Sequence, residues 1–200
     1  FNVGKYRREF TAMKREQDLH EVNKRQSTIV QSSSSDGAAS ASFFDTKNAD
    51  AKRLREEVAM FALRELLKWI ELPSNGAERV GIFDATNSTK DRRDAVLRVI
   101  SNEAKSNVGV VFLESVCDDV DLLEENFRQK VKHSPDFAGM TESEALNDLK
   151  ERVKKYEAAY ETIDDDDVSY IKVYNLSSKV LANQIYGRMS KSILPALMMW

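Results

Sequence analysis

The chain has 200 residues, 42% of them hydrophobic and 32% charged, which is enough to bury the core of one ordinary domain. Its 30 basic and 33 acidic residues leave a formal net charge of -3, so the overall charge gives no argument for binding nucleic acid or an anionic membrane. No apolar stretch approaches the roughly 20 residues of a membrane span. A single cysteine, Cys117, excludes an internal disulfide framework and favours a reducing, cytoplasmic setting. Because the chain starts at Phe1 and not at methionine, we expect a piece of a longer protein.

Residues 27–42 differ in composition from the rest of the chain. They hold seven serines with a glycine and a few alanines, and they show neither a helical nor a strand period. Such a segment cannot bury enough apolar surface to offset its ordering entropy, so it is predicted to be a disordered surface insertion. A passive linker is the simpler interpretation, and a phosphorylation segment rests on serine density alone.

The rest of the chain alternates helices with short apolar strands. Helices are predicted over residues 45–71, 88–105 and 118–132, from the capping box at 141–144 through Tyr160, and over 180–198 as far as Pro195. Strands are predicted over residues 80–83, 108–113 and 168–174. This alternation predicts one α/β domain over residues 1–200, with a parallel sheet and crossover helices.

The first predicted strand ends in a carboxylate. Asp84 is followed by hydroxyl and amide side chains at the start of the next helix, within residues 83–89. Ligands bind beyond the carboxyl ends of parallel strands, and a nucleotide kinase uses an aspartate there to hold Mg²⁺. The alternative is that Asp84 and its neighbours serve only as helix caps.

The second predicted strand leads into residues 114–119, which contain Cys117. A thiol near a helix N-terminus is favoured as thiolate, but Asp118 and Asp119 oppose that effect. From the residues alone, a small buried thiol is therefore the preferred interpretation.

Basic residues are concentrated in or beside the helices that lead from these strand ends: Arg7, Arg8, Arg55, Lys90, Arg92, Arg93, Lys130, Lys132 and Arg152. Any one of them can be a solvated charge, whereas the set suggests a ring that binds phosphate, since guanidinium groups match phosphate oxygens in pairs. Arg152 and Tyr156 are four residues apart and share a helix face. Neither G-x-x-x-x-G-K-[ST] nor G-x-G-x-x-G occurs, so the chain as given has no ATP-phosphate loop.

Several motifs occur together in one order: residues 1–9, 43–44 with Asn48, 83–89 with Arg92 and Arg93, 114–119, 134–137, Arg152 with 156–157, and 169–173. In this order and spacing they resemble the kinase domain of the 6-phosphofructo-2-kinase/fructose-2,6-bisphosphatase family. The resemblance covers nearly the whole chain except the serine-rich insertion.

The resemblance implies a P-loop kinase-like fold that uses ATP and Mg²⁺. Its reaction would transfer the γ-phosphate to the 2-hydroxyl of fructose 6-phosphate, making fructose 2,6-bisphosphate, a regulator of glycolysis. Asp84 would be the catalytic and metal-binding aspartate, and Cys117 would belong to the active site. The implied fructose 6-phosphate contacts are Arg7, Arg55, Thr86, Arg92, Arg152 and Tyr156. The implied nucleotide contacts are Asn126 and Lys130, and the resemblance leaves a homodimer open.

The chain also departs from the family. The family's first strand and phosphate loop would precede Phe1, and its phosphatase domain would follow Trp200. A lysine that binds the sugar phosphate in the family aligns with Val131, whose neighbours Lys130 and Lys132 could each take its place. A catalytically silent relative that binds a sugar phosphate or a protein partner is therefore the alternative hypothesis.

Overall fold

The computed structural model describes residues 1–25, 48–73, 75, 78–176 and 178–199, without the side chains of 14, 15, 17–25 and 188–191. The serine-rich segment at 27–42 lies outside the described residues, so its disorder stays a prediction. The described part contains the helices α1 (Val3–Arg25), α2 (Ala49–Ile70), α3 (Lys90–Glu103), α4 (Val120–His133), α5 (Glu142–Glu157) and α6 (Arg188–Met198). Its strands are β1 (Phe112–Val116), β2 (Tyr170–Tyr174) and β3 (Lys179–Asn183). The predicted α/β class is confirmed.

The strands form a mixed sheet in the order β1-β2-β3. β1 and β2 are parallel, with Glu114 opposite Lys172, and the chain crosses between them through α4 and α5. β2 and β3 are antiparallel, with Tyr174 opposite Lys179. The parallel pair therefore matches the predicted crossover pattern, while β3 makes the sheet mixed.

The helix predicted over residues 180–198 is wrong in its first part. Residues Lys179–Asn183 form β3, and the helix begins at Arg188 and continues through Pro195. Asn175 and Leu176 have positive φ angles of 43° and 51°, as residues that reverse a hairpin do. Pairing with β2 thus overrides the local helical pattern.

Two of the three predicted strands, those over residues 80–83 and 108–113, also need correction. Residues 80–83 are extended but lie outside the sheet, and the nearest pairing is one parallel bridge between Asn2 and Asp84. The strand predicted over 108–113 forms later, as β1, because its pairing with β2 begins at Phe112. Within the described part of the chain, residues 108–111 pair with no strand. A strand needs a hydrogen-bonded neighbour as well as apolar residues, which explains both differences.

The starts of α3, α4 and α5 lie within two residues of the predicted ones, because capping side chains define them. By contrast, α2 begins at Ala49 and not at residue 45, and α1 has no counterpart among the predicted helices. Asn48, Thr89 and Asp119 each accept a backbone hydrogen bond at the start of α2, α3 and α4. The predicted capping box is confirmed at α5, where Thr141 and Glu144 each accept a hydrogen bond from the other's backbone N–H. Each cap is worth about 0.5–2 kcal/mol, and those of α3 and α5 fix helices that carry site residues.

The apolar core has three parts. The first contains Leu63 and Leu66 of α2 with Val96 of α3, the second Phe112, Ile163 and Tyr170, and the third Phe137, Ala145 and Leu149. Gly81 lies so close to α2 that a Cβ atom there would be 2.4 Å from Leu66 Cδ1. This close approach brings the extended segment that ends at Asp84 against α2.

Among the helices of the described residues, none has both the length and the apolar character that crossing a bilayer requires.

Candidate functional site

One cavity of about 1030 Å³ opens between α1, α2, the start of α3 and α5. Its lining includes all six residues that the resemblance implies for sugar phosphate: Arg7, Arg55, Thr86, Arg92, Arg152 and Tyr156. Asp84 and Lys130 also line it, whereas Cys117 and Asn126 do not. The cavity thus unites side chains that are far apart in the sequence.

Different elements supply these side chains. Arg7 comes from α1, Arg55 from α2, Arg92 from the first turn of α3, and Arg152 with Tyr156 from the last turns of α5. The start of α1 is fixed beside Asp84, since the Val3 N–H donates to the Asp84 carbonyl at 2.9 Å and the Asp84 N–H donates to the Phe1 carbonyl at 3.1 Å. These two bonds join the first turn of α1 to the loop that carries Asp84.

A largely buried carboxylate organises three of the arginines. Asp136, in the short 3-10 turn Pro135–Phe137, accepts Arg7 Nη2 at 2.6 Å, Arg8 Nη1 at 3.3 Å and Arg152 Nη1 at 3.3 Å. Burial opposes ionisation of Asp136, but the hydrogen bond and charge of Arg7, with the charges of Arg8 and Arg152, hold its pKa below the usual range. Asp136 therefore stays charged and fixes the orientation of guanidinium groups from α1 and α5.

Arg152 is built into the cavity wall. Its Nη2 atom lies 2.5 Å from Asp148 Oδ2, and its guanidinium lies 4.8 Å from the centre of the Phe137 ring. Two carboxylates and an aromatic ring thus surround this buried cation. Arg152 orders the site as well as lining it.

Arg92 is the arginine whose surroundings most favour an added anion. Its side chain is only 10% exposed and is ion-paired through Nη1 with Glu56 of α2. Its buried Nε atom has no hydrogen-bond partner within the described residues. Burial lowers the pKa of Arg92, which means that desolvation disfavours its charge. A bound anion would compensate for that desolvation.

Asp84 is exposed at the cavity edge, with Asn2 Nδ2 donating to its Oδ2 atom at 2.5 Å. In the described part of the chain no three His, Cys, Asp or Glu side chains cluster as a metal site. A kinase magnesium ion needs only one or two protein carboxylates, because substrate phosphates and water supply the remaining ligands. Asp84 therefore fits a single-carboxylate magnesium site.

Cys117 follows β1 and lies outside the cavity lining. Its half-buried thiol contacts the Asp119 carbonyl at 3.8 Å, and Asp119 caps α4. The thiol is thus half-buried and not buried as the residues alone had suggested, and the active-site role implied by the resemblance remains a prediction.

Val131 aligns with a lysine that binds the sugar phosphate in the family, and its two lysine neighbours lie differently relative to the cavity. Val131 packs against the third core cluster, while Lys130 lines the cavity and Lys132 does not. Asn126 is exposed on α4, away from the cavity lining. Of the two lysine neighbours of Val131, Lys130 is therefore the one that lines the cavity.

The family model for 6-phosphofructo-2-kinase matches residues 1–199. The chain belongs to the 6-phosphofructo-2-kinase family. It is 44% identical to a probable 6-phosphofructo-2-kinase of Schizosaccharomyces pombe over 74% of this chain and 25% of that protein. It is 38% identical to 6-phosphofructo-2-kinase 1 of Saccharomyces cerevisiae over 94% of this chain and 20% of that protein.

The family also includes proteins that are named for two activities. The chain is 32% identical to the 6-phosphofructo-2-kinase/fructose-2,6-bisphosphatase of Gallus gallus over 99% of its own length and 36% of that protein. The chain thus spans between a fifth and just over a third of the length of these three relatives.

The structure adds residues that the sequence did not single out for this 6-phosphofructo-2-kinase family site. Asp136 lies within residues 134–137, one of the motifs of the resemblance, which implies no role for it, and Glu56 is distinguished only by its position next to Arg55. Both are acidic residues that neutralise cavity arginines. The sequence feature that could have indicated these two acidic residues is the cluster of arginines, since buried guanidinium groups need carboxylate partners.

Proposed function

We propose that this chain forms the acceptor-binding part of a 6-phosphofructo-2-kinase, which transfers the γ-phosphate of ATP to the 2-hydroxyl of fructose 6-phosphate. The observation that carries the proposal is the single cavity that brings arginines from α1, α2, α3 and α5 together with Asp84. The lone free Cys117 favours a reducing cytoplasm as the setting.

The charge of the cavity suits a phosphorylated acceptor. Its basic side chains are Arg7, Arg8, Lys52, Arg55, Arg92, Lys130 and Arg152, against the acidic Glu56, Asp84, Asp91, Asp136 and Glu161. This excess of positive charge attracts an anion, and guanidinium groups can hold phosphate oxygens in pairs. The hydroxyl groups of Thr86 and Tyr156 add neutral partners for sugar hydroxyls.

Asp84 supplies the carboxylate that phosphoryl transfer in this cavity would need. When bound, Mg²⁺·ATP supplies the phosphoryl group and neutralises its developing charge. Asp84 is the carboxylate that would hold the metal, and the arginines that would hold the acceptor line the same cavity. We propose Asn126 and Lys130 as nucleotide-side contacts on resemblance alone.

A conservative substitution of Arg92 tests this proposal in the full-length protein. Arg92→Lys keeps the charge but removes the paired donors, so KM for fructose 6-phosphate should rise about 10- to 100-fold, from loss of about 1.5–3 kcal/mol. KM for ATP should change by less than about twofold, because Arg92 belongs to the acceptor side. Arg98→Lys is the matched control, since Arg98 is exposed on the same helix outside the cavity.

Three results would contradict the proposal. Wild-type protein that binds fructose 6-phosphate in calorimetry but does not phosphorylate it would indicate the silent relative. Equal rises in both KM values would make Arg92 a structural residue. An unchanged KM for fructose 6-phosphate in Arg92→Lys would place the acceptor elsewhere.

A further inference from the structure

A buried ion pair lies in the sheet, outside the cavity lining. Glu114 of β1 and Lys172 of β2 are partners in the parallel register, and Lys172 Nζ lies 3.2 Å from Glu114 Oε2. The side chain of Lys172 is only 10% exposed, and that of Glu114 only 6%. Buried charges carry a large desolvation penalty, and the proposed acceptor site uses neither of them directly.

The pair is bonded to the segment that follows α5, residues 160–163. Glu114 accepts hydrogen bonds from the Tyr160 hydroxyl, from Thr162 Oγ1 at 2.8 Å and from the Ile163 N–H at 3.2 Å. Lys172 Nζ donates to Thr162 Oγ1 at 2.7 Å. The two charges therefore fix the path of the chain as it leaves α5.

The opposite side of the same segment is bonded to the start of α3. The Glu161 N–H donates to the Ser88 carbonyl at 2.8 Å, and the Glu161 carboxylate accepts the Lys90 N–H. Arg93 Nη1 donates to the Glu161 carbonyl at 2.9 Å. Residues 160–163 thus connect the ion pair to the turn that presents Thr86.

We infer that the Glu114–Lys172 pair is a positioning device for the acceptor site, an inference that rests on the proposed function. Through residues 160–163, it fixes the end of α5, with Tyr156, relative to the start of α3, with Arg92. Both helices line the cavity, so an acceptor held by Arg92 and Tyr156 would contact the two helices at once.

The hydrogen bonds argue for orientation over simple stabilisation. An apolar pair of similar size can be as stable as a buried ion pair. Such a pair could not accept the three donors of residues 160–163 or donate to Thr162. The hydrogen-bonding groups of the pair are therefore needed for the path of this segment.

Two substitutions in the full-length protein test the inference. Glu114→Gln weakens every contact of the pair, and Tyr160→Phe removes one donor from a residue that is 47% exposed. KM for fructose 6-phosphate should rise about tenfold in Glu114→Gln and about threefold in Tyr160→Phe, because misplacement of binding groups by fractions of an ångström weakens binding. The ATP KM should stay within about twofold of wild type.

Hydrogen exchange provides a readout that needs no activity. The amides of Lys90, Glu161 and Ile163 should exchange faster in both variants, while those of α4 stay protected. Glu103→Gln is the control, because it breaks the exposed Arg64–Glu103 pair at the far end of α3 and should leave the fructose 6-phosphate KM and these amides unchanged.

The outcomes separate the inference from the proposed function. If wild-type protein does not phosphorylate fructose 6-phosphate, the proposed function fails, and faster exchange at Lys90 would still support the mechanical link. Loss of active protein with an unchanged KM for fructose 6-phosphate would overturn the inference and leave a structural pair. If Glu114→Gln does not fold, Tyr160→Phe decides by the same two measurements.

Discussion

Replacing Asp136 by asparagine should destabilise the protein through the arginines that this carboxylate neutralises. The Arg7 and Arg152 side chains are buried against Asp136, whereas Arg8 is 39% exposed and adds little. Removing one partner of a buried pair costs about 3–5 kcal/mol, and asparagine retains one acceptor oxygen, so we take about 3 kcal/mol. For a domain of this size that lowers Tm by about 6–12 °C.

The effect should depend on pH in a defined direction. The pKa of Asp136 is lower in the folded protein than in the unfolded chain, despite its burial, because Arg7 and the other arginines favour the carboxylate. Its stabilisation is therefore complete above the unfolded pKa of about 3.9 and is lost as the pH falls through the lower folded value. The Tm difference between wild type and Asp136→Asn should be constant from about pH 5 to 7 and shrink below about pH 4.

Thermal unfolding followed by circular dichroism checks this prediction. Glu151→Gln is a suitable control, because Glu151 forms an exposed pair with Lys154 on the same helix as Arg152. That control should leave Tm unchanged. If the Tm of Asp136→Asn at pH 7 equals that of wild type, Asp136 does not organise the arginines and the reasoning is refuted.

Three further substitutions test other parts of the site. Asp84→Asn should lower kcat at least about 100-fold, because a metal-binding carboxylate acts mainly in the transition state, while calorimetry should find fructose 6-phosphate binding unchanged. Near-normal turnover would mean that Asp84 serves only as a cap. Cys117→Ser should leave KM for fructose 6-phosphate unchanged in steady-state kinetics, because Cys117 lies outside the cavity; a clear rise would place its thiol at the acceptor. Thr141→Ala should lower the free energy of unfolding in urea by about 0.5–2 kcal/mol through loss of the α5 capping box, and no change would show that the box is dispensable.

Local sequence signals predicted the features that depend on neighbouring residues. Thr141 and Glu144 specify a helix start on their own, and the spacing of Arg152 and Tyr156 places both on one helix face. The resemblance then identified a residue set that the structure gathers in one cavity. Its roles in binding and catalysis remain predictions.

Features that depend on distant pairing could not be predicted in this way. Asp136 bonds to Arg7, 129 residues away in the sequence, and nothing near Asp136 indicates that contact. Residues Lys179–Asn183 contain a run of only three apolar residues that also fits a helix, and only pairing with β2 makes them a strand. Glu114 directly follows an apolar run, and its importance becomes visible only when residues 160–163 pack against it.

The Glu114–Lys172 pair also bears on how the sheet reaches its native alignment. α4 and α5 lie between β1 and β2 in the sequence. Pairing of these two strands therefore closes a long loop and is intrinsically slow. A slip by one residue would set Lys172 opposite Leu113 or Ser115 and turn one strand's side chains to the other face. Glu114 would then remain buried in β1 without its cation, and an unpaired buried charge carries a large desolvation penalty. The two charges therefore favour the native register of β1 and β2 over a slipped one, whether or not a ligand is bound.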